Sequence, residues 1–140
     1  MESCSVIFVE GGSRRQRKLT IDCASFAWMQ LMPRIVNCEI NFIIKKLEVY
    51  EGTCLDTDSR IFQIEVDKKL GVSDDFITTI FHEMVHVKQY IRKELFSEIN
   101  FYKTRDEYLK LPWEVEAYKL QEELLIKWKN QKTKHIGENL

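Results

Sequence analysis

The spacing of apolar residues divides the first half of the chain into strand-like segments and one helix-like segment, and the second half into helix-like segments. Cys4 to Glu10 is rich in β-branched and aromatic residues and ends at Gly11-Gly12, which predicts a strand followed by a turn. Lys18 to Cys23 alternates polar and apolar residues and predicts a returning strand. Ser25 to Val36 repeats apolar residues at three- and four-residue spacing, so it predicts a helix that bends or ends near Pro33.

The middle of the chain predicts two further strands and a long helix. Cys38 to Val49 is an apolar strand region, and Glu51-Gly52-Thr53 predicts a turn after it. Arg60 to Asp67 alternates strictly and predicts a half-buried strand. Ser73 is a good capping residue and is followed by two aspartates, which favours a helix start there. This helix is expected to run to about Leu95.

Capping signals also divide the last third of the chain. Thr104 and Glu107 have the spacing of a capping box, which predicts a short helix to Leu111. Pro112 suits the first position of a helix, expected to run from Trp113 to about Lys129 before a polar tail. The order of elements predicts an α+β fold, in which a small, mostly antiparallel sheet packs on helices.

The length of 140 residues suits a single domain. We expect residues 1–72 to form an N-terminal helix and the sheet, residues 73–131 to form the two main later helices, and residues 132–140 to form a tail. Apolar residues make up 44% of the chain, which indicates a folded domain rather than a disordered segment.

Charge and cysteine usage narrow the choice of partner and compartment. The 21 basic and 22 acidic residues leave a net charge of −1, so no overall field would attract nucleic acid or an anionic membrane. No apolar stretch has the length of a membrane span, and the N-terminus lacks a signal-peptide pattern. We therefore expect a cytoplasmic protein. Cys4, Cys23, Cys38 and Cys54 contain no C-x-x-C pair and are expected to be free thiols.

The chemistry is concentrated in the H-E-x-x-H sequence from His82 to His86. Residues four apart lie on the same face of a helix, so both imidazoles can reach one zinc ion. Glu83, the next residue round the helix, would lie beside the open side of the metal and could take a proton from water. On a helical projection the two histidines fall opposite the main apolar stripe, which argues against two core histidines without a metal.

A catalytic zinc ion needs a third protein ligand, and three residues could supply it. Glu114 falls within the inward-facing arc of the last predicted helix, where an isolated carboxylate is costly unless it is paired or binds a metal. Glu116 falls on the flank of that arc and could be a helix-start acid. His135 lies in the expected polar tail. The burial argument favours Glu114, with Glu116 and His135 as alternatives.

These residues resemble a known group of enzymes. His82-Glu83-Met84-Val85-His86, with Glu114-Val115-Glu116-Ala117 downstream, is similar to gluzincin-type zinc metallopeptidases. The similarity is greatest to one-domain minigluzincins, to ImmA/IrrE-type proteins and to small metallopeptidases encoded by bacteriophages, and it covers about Arg60 to Trp128. Where ImmA/IrrE-type proteins usually have Asn after E-x-E-A, this chain has Tyr118.

The resemblance implies a zincin-like fold, with one helix that carries H-E-x-x-H and a C-terminal helix that supplies a glutamate ligand. In that pattern Glu114 is the third zinc ligand, and the strand Arg60 to Asp67 forms the edge of the cleft, where an extended peptide could add. The compartment would be the host cytoplasm for a phage-encoded protein. Tyr118, Tyr102 and Tyr108 are candidates for the residue that stabilises the transition state.

The expected function is zinc-dependent hydrolysis of a peptide or protein substrate, with Glu83 as the general base. One alternative is an SprT-like, DNA-associated protease, whose third ligand would be His135. The other is a latent zinc-binding regulatory module without activity, in which the loop from Ser97 to Lys110 closes the cleft.

Overall fold

The computed structural model describes residues 5–94 and 105–138, which form one four-stranded sheet and four α-helices. The elements are listed in chain order: β1 (Val6–Gly11), α1 (Arg14–Leu31), β2 (Glu39–Lys45), β3 (Gly52–Asp58), β4 (Ile61–Asp67), a 3-10 turn (Lys68–Leu70), α2 (Asp74–Ile91), α3 (Arg105–Leu109) and α4 (Pro112–Glu138). The α+β class predicted from the sequence is confirmed.

The sheet is mixed, with the strand order β1-β2-β4-β3. β1 pairs with β2 and β2 pairs with β4 in parallel, whereas β3 pairs with β4 antiparallel. The expectation of a mostly antiparallel sheet is therefore wrong. Its source was the returning strand expected directly after β1. The chain instead crosses back through a helix, and a helical crossover joins parallel strands.

That crossover is α1, which contains the segment Lys18 to Cys23 that alternation predicted to be a strand. A capping box at Ser13 and Gln16 starts a helix here instead of a strand. The backbone N–H of Gln16 donates to Ser13 Oγ at 3.1 Å, and the Ser13 N–H donates to Gln16 Oε1 at 3.0 Å. The helix ends at Leu31, close to Pro33 as expected, because Pro33 has no N–H and disfavours helical backbone in the residue before it.

The strand at the edge of the sheet beside α2 is β3, which the sequence prediction missed. Its sequence, GTCLDTD, offers one glycine and two aspartates, residues that are depleted in strands. β4 lies between β2 and β3, so the expectation that Arg60 to Asp67 forms the edge of the cleft is wrong. β3 forms this edge of the sheet and contacts α2 directly.

The core lies between one face of the sheet and the helices. Alternate residues of β2 and β4 are buried on that face: Ile40, Phe42, Ile44, Phe62, Ile64 and Val66. α2 lies at the centre of the molecule and contacts α1, α4, β3 and β4. Phe26, Phe81 and Trp128 bring α1, α2 and α4 together, with ring centroids 5.4–6.2 Å apart. This contact fixes α4 against α2, and so positions the residues at the start of α4.

The helix starts predicted at Ser73 and Pro112 are confirmed. Ser73 Oγ accepts the Phe76 N–H at 3.3 Å, and α4 begins at Pro112. α4 continues to Glu138, so the polar tail predicted to follow Lys129 is largely helical. Gln131, Lys132 and Lys134 have high helix propensity and favour this extension. α2 ends at Ile91, so the prediction that it runs to about Leu95 is wrong. The predicted positions Cys4, Leu95 and Thr104 themselves lie outside the described residues.

Cys23, Cys38 and Cys54 are free thiols, as predicted, and Cys4 lies outside the described part of the chain. Burial raises the pKa of Cys23 to about 12 and that of Cys38 to about 11, so both stay protonated at neutral pH. Among the helices of the described ranges, none combines the length and the apolar character needed to span a bilayer.

Candidate metal centre

α2 delivers the two histidines of the H-E-x-x-H sequence to one point. The ring centroids of His82 and His86 are 4.8 Å apart, and the ring planes meet at 85°. Their side chains are only 12% and 9% exposed. Because the residues are four apart on a helix, the rings lie one turn above each other and present their Nε2 atoms in the same direction.

The first turn of α4 brings Glu114 to these imidazoles. Glu114 Oε1 lies 2.8 Å from His86 Nε2, and Glu114 Oε2 lies 3.2 Å from His82 Nε2. One ligand atom from each of the three residues lies within 4.8 Å of the others. The three side chains that the sequence singled out as ligands therefore form one group, which is positioned to bind a metal ion.

Glu116, the competing carboxylate, lies away from this group. Its Oε1 accepts from Lys88 Nζ at 2.9 Å and from Gln89 Nε2 at 3.0 Å. Burial alone would raise the pKa of Glu116, but these two donors outweigh it and lower the pKa. Glu116 is thus a paired carboxylate that helps to join α2 to α4.

His135 is also remote from the group. It lies on α4, 21 residues after Glu114. At 1.5 Å per residue, a continuous helix separates the two backbones by about 30 Å. This distance argues against His135 as the third ligand of the same ion.

The chemistry of the group fits a divalent cation. Glu114 is 2% exposed, and its Oε2 makes no hydrogen bond within the described residues, because the His82 contact lacks hydrogen-bond geometry. A buried carboxylate oxygen without a partner is costly unless a cation satisfies it. Two imidazole nitrogens and one carboxylate oxygen are a donor set that catalytic zinc sites use, with the fourth position open for water.

The electrostatics of the group favour a charged Glu114. Burial would raise the pKa of Glu114, but the adjacent His82 and His86 imidazoles outweigh burial and hold the pKa below its ordinary value. Burial would lower the pKa of His86, but the hydrogen bond to Glu114 and the nearby Glu83 raise it. The two imidazoles thus stabilise the ionised form of Glu114.

Glu83 lies beside the group without belonging to it. It is 6% exposed, and burial raises its pKa, while the two imidazoles oppose that rise and Glu114 adds to it. Its side chain packs against β3 at Gly52, where an added Cβ would lie 3.4 Å from Glu83 Cγ. A carboxylate with a raised pKa next to a metal position is suited to accept and return a proton.

Two glutamines contact the far nitrogens of the imidazoles, and the sequence analysis missed both. Gln89 Oε1 lies 2.7 Å from His86 Nδ1, and Gln121 Oε1 lies 2.7 Å from His82 Nδ1. One signal was available for Gln89, because a residue three positions after His86 lies on the same helix face. Gln121 is on α4, so its contact depends on how two helices dock and has no local signal.

Two of the three candidate tyrosines lie at the site. Tyr108 Oη donates to Glu114 Oε1 at 2.8 Å. The Tyr118 ring packs against His82 with centroids 4.6 Å apart, and its side chain is partly exposed. Burial raises the pKa of Tyr118, and Glu114 and Glu83 add to the rise. Tyr102, and residues 97–104 of the loop expected to control latency, lie outside the described residues.

No family model matches this chain, and neither a curated protein nor a solved structure matches it. The functional interpretation therefore depends on the geometry of the site and on the sequence motif.

Proposed function

We propose that this protein is a zinc-dependent peptidase of the gluzincin type, with a zincin-like fold. His82, His86 and Glu114 would hold the ion, and Glu83 would act as the general base. The observation that carries the proposal is the meeting of two imidazoles and one buried carboxylate within 4.8 Å, with a second buried carboxylate beside them. Glu83 follows His82 directly, as the mechanism requires.

The bound zinc ion would activate a water molecule and polarise the scissile carbonyl. Glu83 would take the proton from that water and deliver it to the leaving amine. Tyr118, beside His82 and partly open to solvent, is suited to donate a hydrogen bond to the developing oxyanion. Tyr108 is suited to orient the Glu114 carboxylate.

The edge strand supports an extended peptide as substrate. β3 pairs with β4 on one side only among the described strands, and it begins at Gly52, next to Glu83. A peptide that adds to the free edge of β3 would run past the proposed base. The exposed part of this strand contains Leu55, Asp56, Thr57 and Asp58.

A latent zinc-binding module is the second candidate, and the burial of the site favours it. The two imidazoles and Glu114 are between 2% and 12% exposed, which leaves little open surface for a substrate at the ligands. A module of this kind would bind zinc with the same three residues and cleave nothing.

The Glu83→Gln variant separates these functions. We expect it to retain one zinc ion per chain and to lose hydrolysis of a peptide library by about 10²–10⁴-fold, because the amide cannot accept the proton. Glu123→Gln, a change at an exposed position of α4, is the matched control and should cleave as the wild type does.

Unchanged hydrolysis by Glu83→Gln would rule out Glu83 as the base. A wild-type protein that binds zinc but cleaves no peptide, with or without chelator, would favour the latent module instead.

A further inference from the structure

We infer that Gln89 is a positioning residue of the metal centre, which fixes the tautomer of His86 and aligns the first turn of α4 with it. This inference rests on the proposed function, because it assumes that the ion binds at His82, His86 and Glu114. Gln89 is fully buried, although a glutamine side chain is usually exposed.

The surroundings of Gln89 determine the orientation of its amide. Its Nε2 lies 2.8 Å from the Trp113 carbonyl oxygen and 3.0 Å from Glu116 Oε1. Both partners are acceptors, so the NH₂ group must be at that end and the carbonyl oxygen at the other. The oxygen lies 2.7 Å from His86 Nδ1. A carbonyl oxygen can only accept, so His86 Nδ1 must carry a proton and donate it.

This tautomer leaves the lone pair of a neutral His86 on Nε2. That atom lies 2.8 Å from Glu114 Oε1, so in the neutral ring two acceptors face each other, and either a second proton or a metal ion must lie between them. Gln89 therefore presents the imidazole in the one neutral form that can bind a metal through Nε2.

The same amide also aligns the second helix. Trp113 and Glu116 flank Glu114 at the start of α4, and Gln89 holds one backbone atom and one side-chain atom of this segment. One side chain thus fixes the nitrogen ligand from α2 and the turn that carries the oxygen ligand. The three ligands are thereby held together before an ion arrives, which lowers the cost of binding.

Lys88 provides a matched control, because it joins the same helices without contact to an imidazole. Its Nζ donates to Glu116 Oε1 at 2.9 Å and to Glu94 Oε2 at 3.0 Å, and the residue is 7% exposed. Replacement of Lys88 weakens the contact between α2 and α4 but leaves the Gln89–His86 hydrogen bond in place.

Gln121 provides a graded comparison. Its Oε1 lies 2.7 Å from His82 Nδ1, and within the described ranges its Nε2 donates to Glu122 Oε1 alone, at 3.2 Å and in an exposed position. The amide of Gln121 is therefore less firmly fixed than that of Gln89. We expect its replacement to affect metal binding less.

The test compares zinc affinity in wild type, Gln89→Met, Lys88→Met and Gln121→Met by competition with a chromophoric chelator. Met has about the same length and volume as Gln, but its sulfur is only a weak acceptor for the Nδ1 proton and it cannot donate to the Trp113 carbonyl. We expect Gln89→Met to bind zinc about 10–100-fold more weakly than wild type. Lys88→Met should bind more tightly than Gln89→Met even where the melting temperatures of the metal-free variants fall equally.

A second measurement needs no variant. In the zinc-loaded wild type, long-range ¹H–¹⁵N spectra should show a protonated His86 Nδ1 whose proton exchanges slowly with water. An unprotonated Nδ1 would overturn the inference.

Three results separate the claims. In the first, wild type binds zinc, and Gln89→Met and Lys88→Met lose the same stability and have the same zinc affinity. This result would overturn the role of Gln89 and leave the proposed function intact. Wild type that binds no zinc would overturn both. Loss of affinity that follows the order Gln89, then Gln121, then Lys88 supports the inference.

Discussion

At the scale of single residues, the surroundings of two buried carboxylates determine the chemistry of the site. Glu114 and Glu83 are both buried beside His82 and His86, yet their pKa values shift in opposite directions. Glu114 contacts both Nε2 atoms, which outweighs the cost of burial, whereas Glu83 makes no such contact and burial dominates. One carboxylate is thus suited to remain charged as a ligand, and the other to exchange a proton.

The two tyrosines at the site should differ in what their hydroxyl groups do. Tyr108→Phe removes the hydrogen bond to Glu114 Oε1, so zinc affinity should fall about 10–100-fold. Tyr118→Phe keeps the ring contact with His82, so zinc affinity should stay the same while kcat falls about 10²–10³-fold through loss of an oxyanion donor. Each variant is the control for the other, measured by chelator competition and steady-state kinetics. Equal effects of both changes on zinc affinity would contradict this division.

The ligand set could be predicted from local sequence, but its supporting contacts could not. The four-residue spacing of His82 and His86 places both side chains on one face of a helix. The position of Glu114 on an apolar arc follows from the same helical periodicity. Gln121 meets His82 only because α4 docks on α2 in one register. That register is set by distant side chains, so no local pattern contains it.

At the scale of elements, β3 is the main part of the site's surroundings that could not be predicted from the sequence. The strand is acidic and exposed along its second half, so it lacks the apolar alternation by which β4 could be predicted. The alternation of Lys18 to Cys23 led to a strand being predicted where there is none. The capping box at Ser13 and Gln16 starts a helix, and this segment is part of that helix. Capping and tertiary context outweigh a short alternating run.

The close approach of β3 to α2 predicts a specific sensitivity at Gly52. A Cβ there would lie 2.6 Å from Thr79 Cγ2 and 3.4 Å from Glu83 Cγ, so Gly52→Ala should push the edge strand away from α2 beside the proposed base. We expect the free energy of unfolding to fall by about 1–3 kcal/mol, as overpacking usually costs, and hydrolysis to fall with it.

Thr53→Ala is the control. Thr53 follows Gly52 in β3 and pairs with Glu65, so its side chain lies on the face of the sheet opposite to the one at Gly52. Denaturant unfolding and peptide cleavage should show a smaller change for this variant. A fully active Gly52→Ala protein would contradict a close contact between β3 and the base.

At the scale of the whole molecule, the metal centre depends on the contact between α2 and α4. The rings of Phe26, Phe81 and Trp128 join α1, α2 and α4 on the core side of the site. The hydrogen bonds of Gln89 and Lys88 join α2 and α4 at the other end of the contact. Ligands from two helices separated by more than 25 positions in sequence can meet only if this interface is fixed.

The interface predicts a coupling between core packing and metal binding. Trp128→Ala should lower the free energy of unfolding by about 3–5 kcal/mol, since it removes a buried aromatic side chain of α4 that packs against α1 and α2. Saturating zinc should raise the melting temperature of wild type, because only the folded state holds the three ligands together. In Trp128→Ala, zinc affinity should also fall. Calorimetry with and without zinc measures both, and a variant of unchanged stability would contradict the role of this cluster.

The stoichiometry of bound zinc tests the central claim most directly. We predict that elemental analysis finds one zinc ion per chain in wild type and in Glu116→Gln, whose side chain is paired with Lys88 and Gln89. Glu114→Gln and a His82→Ala, His86→Ala double variant should each lose the ion after dialysis against a weak chelator. Full zinc content in Glu114→Gln, or none in wild type after addition of zinc, would contradict the account.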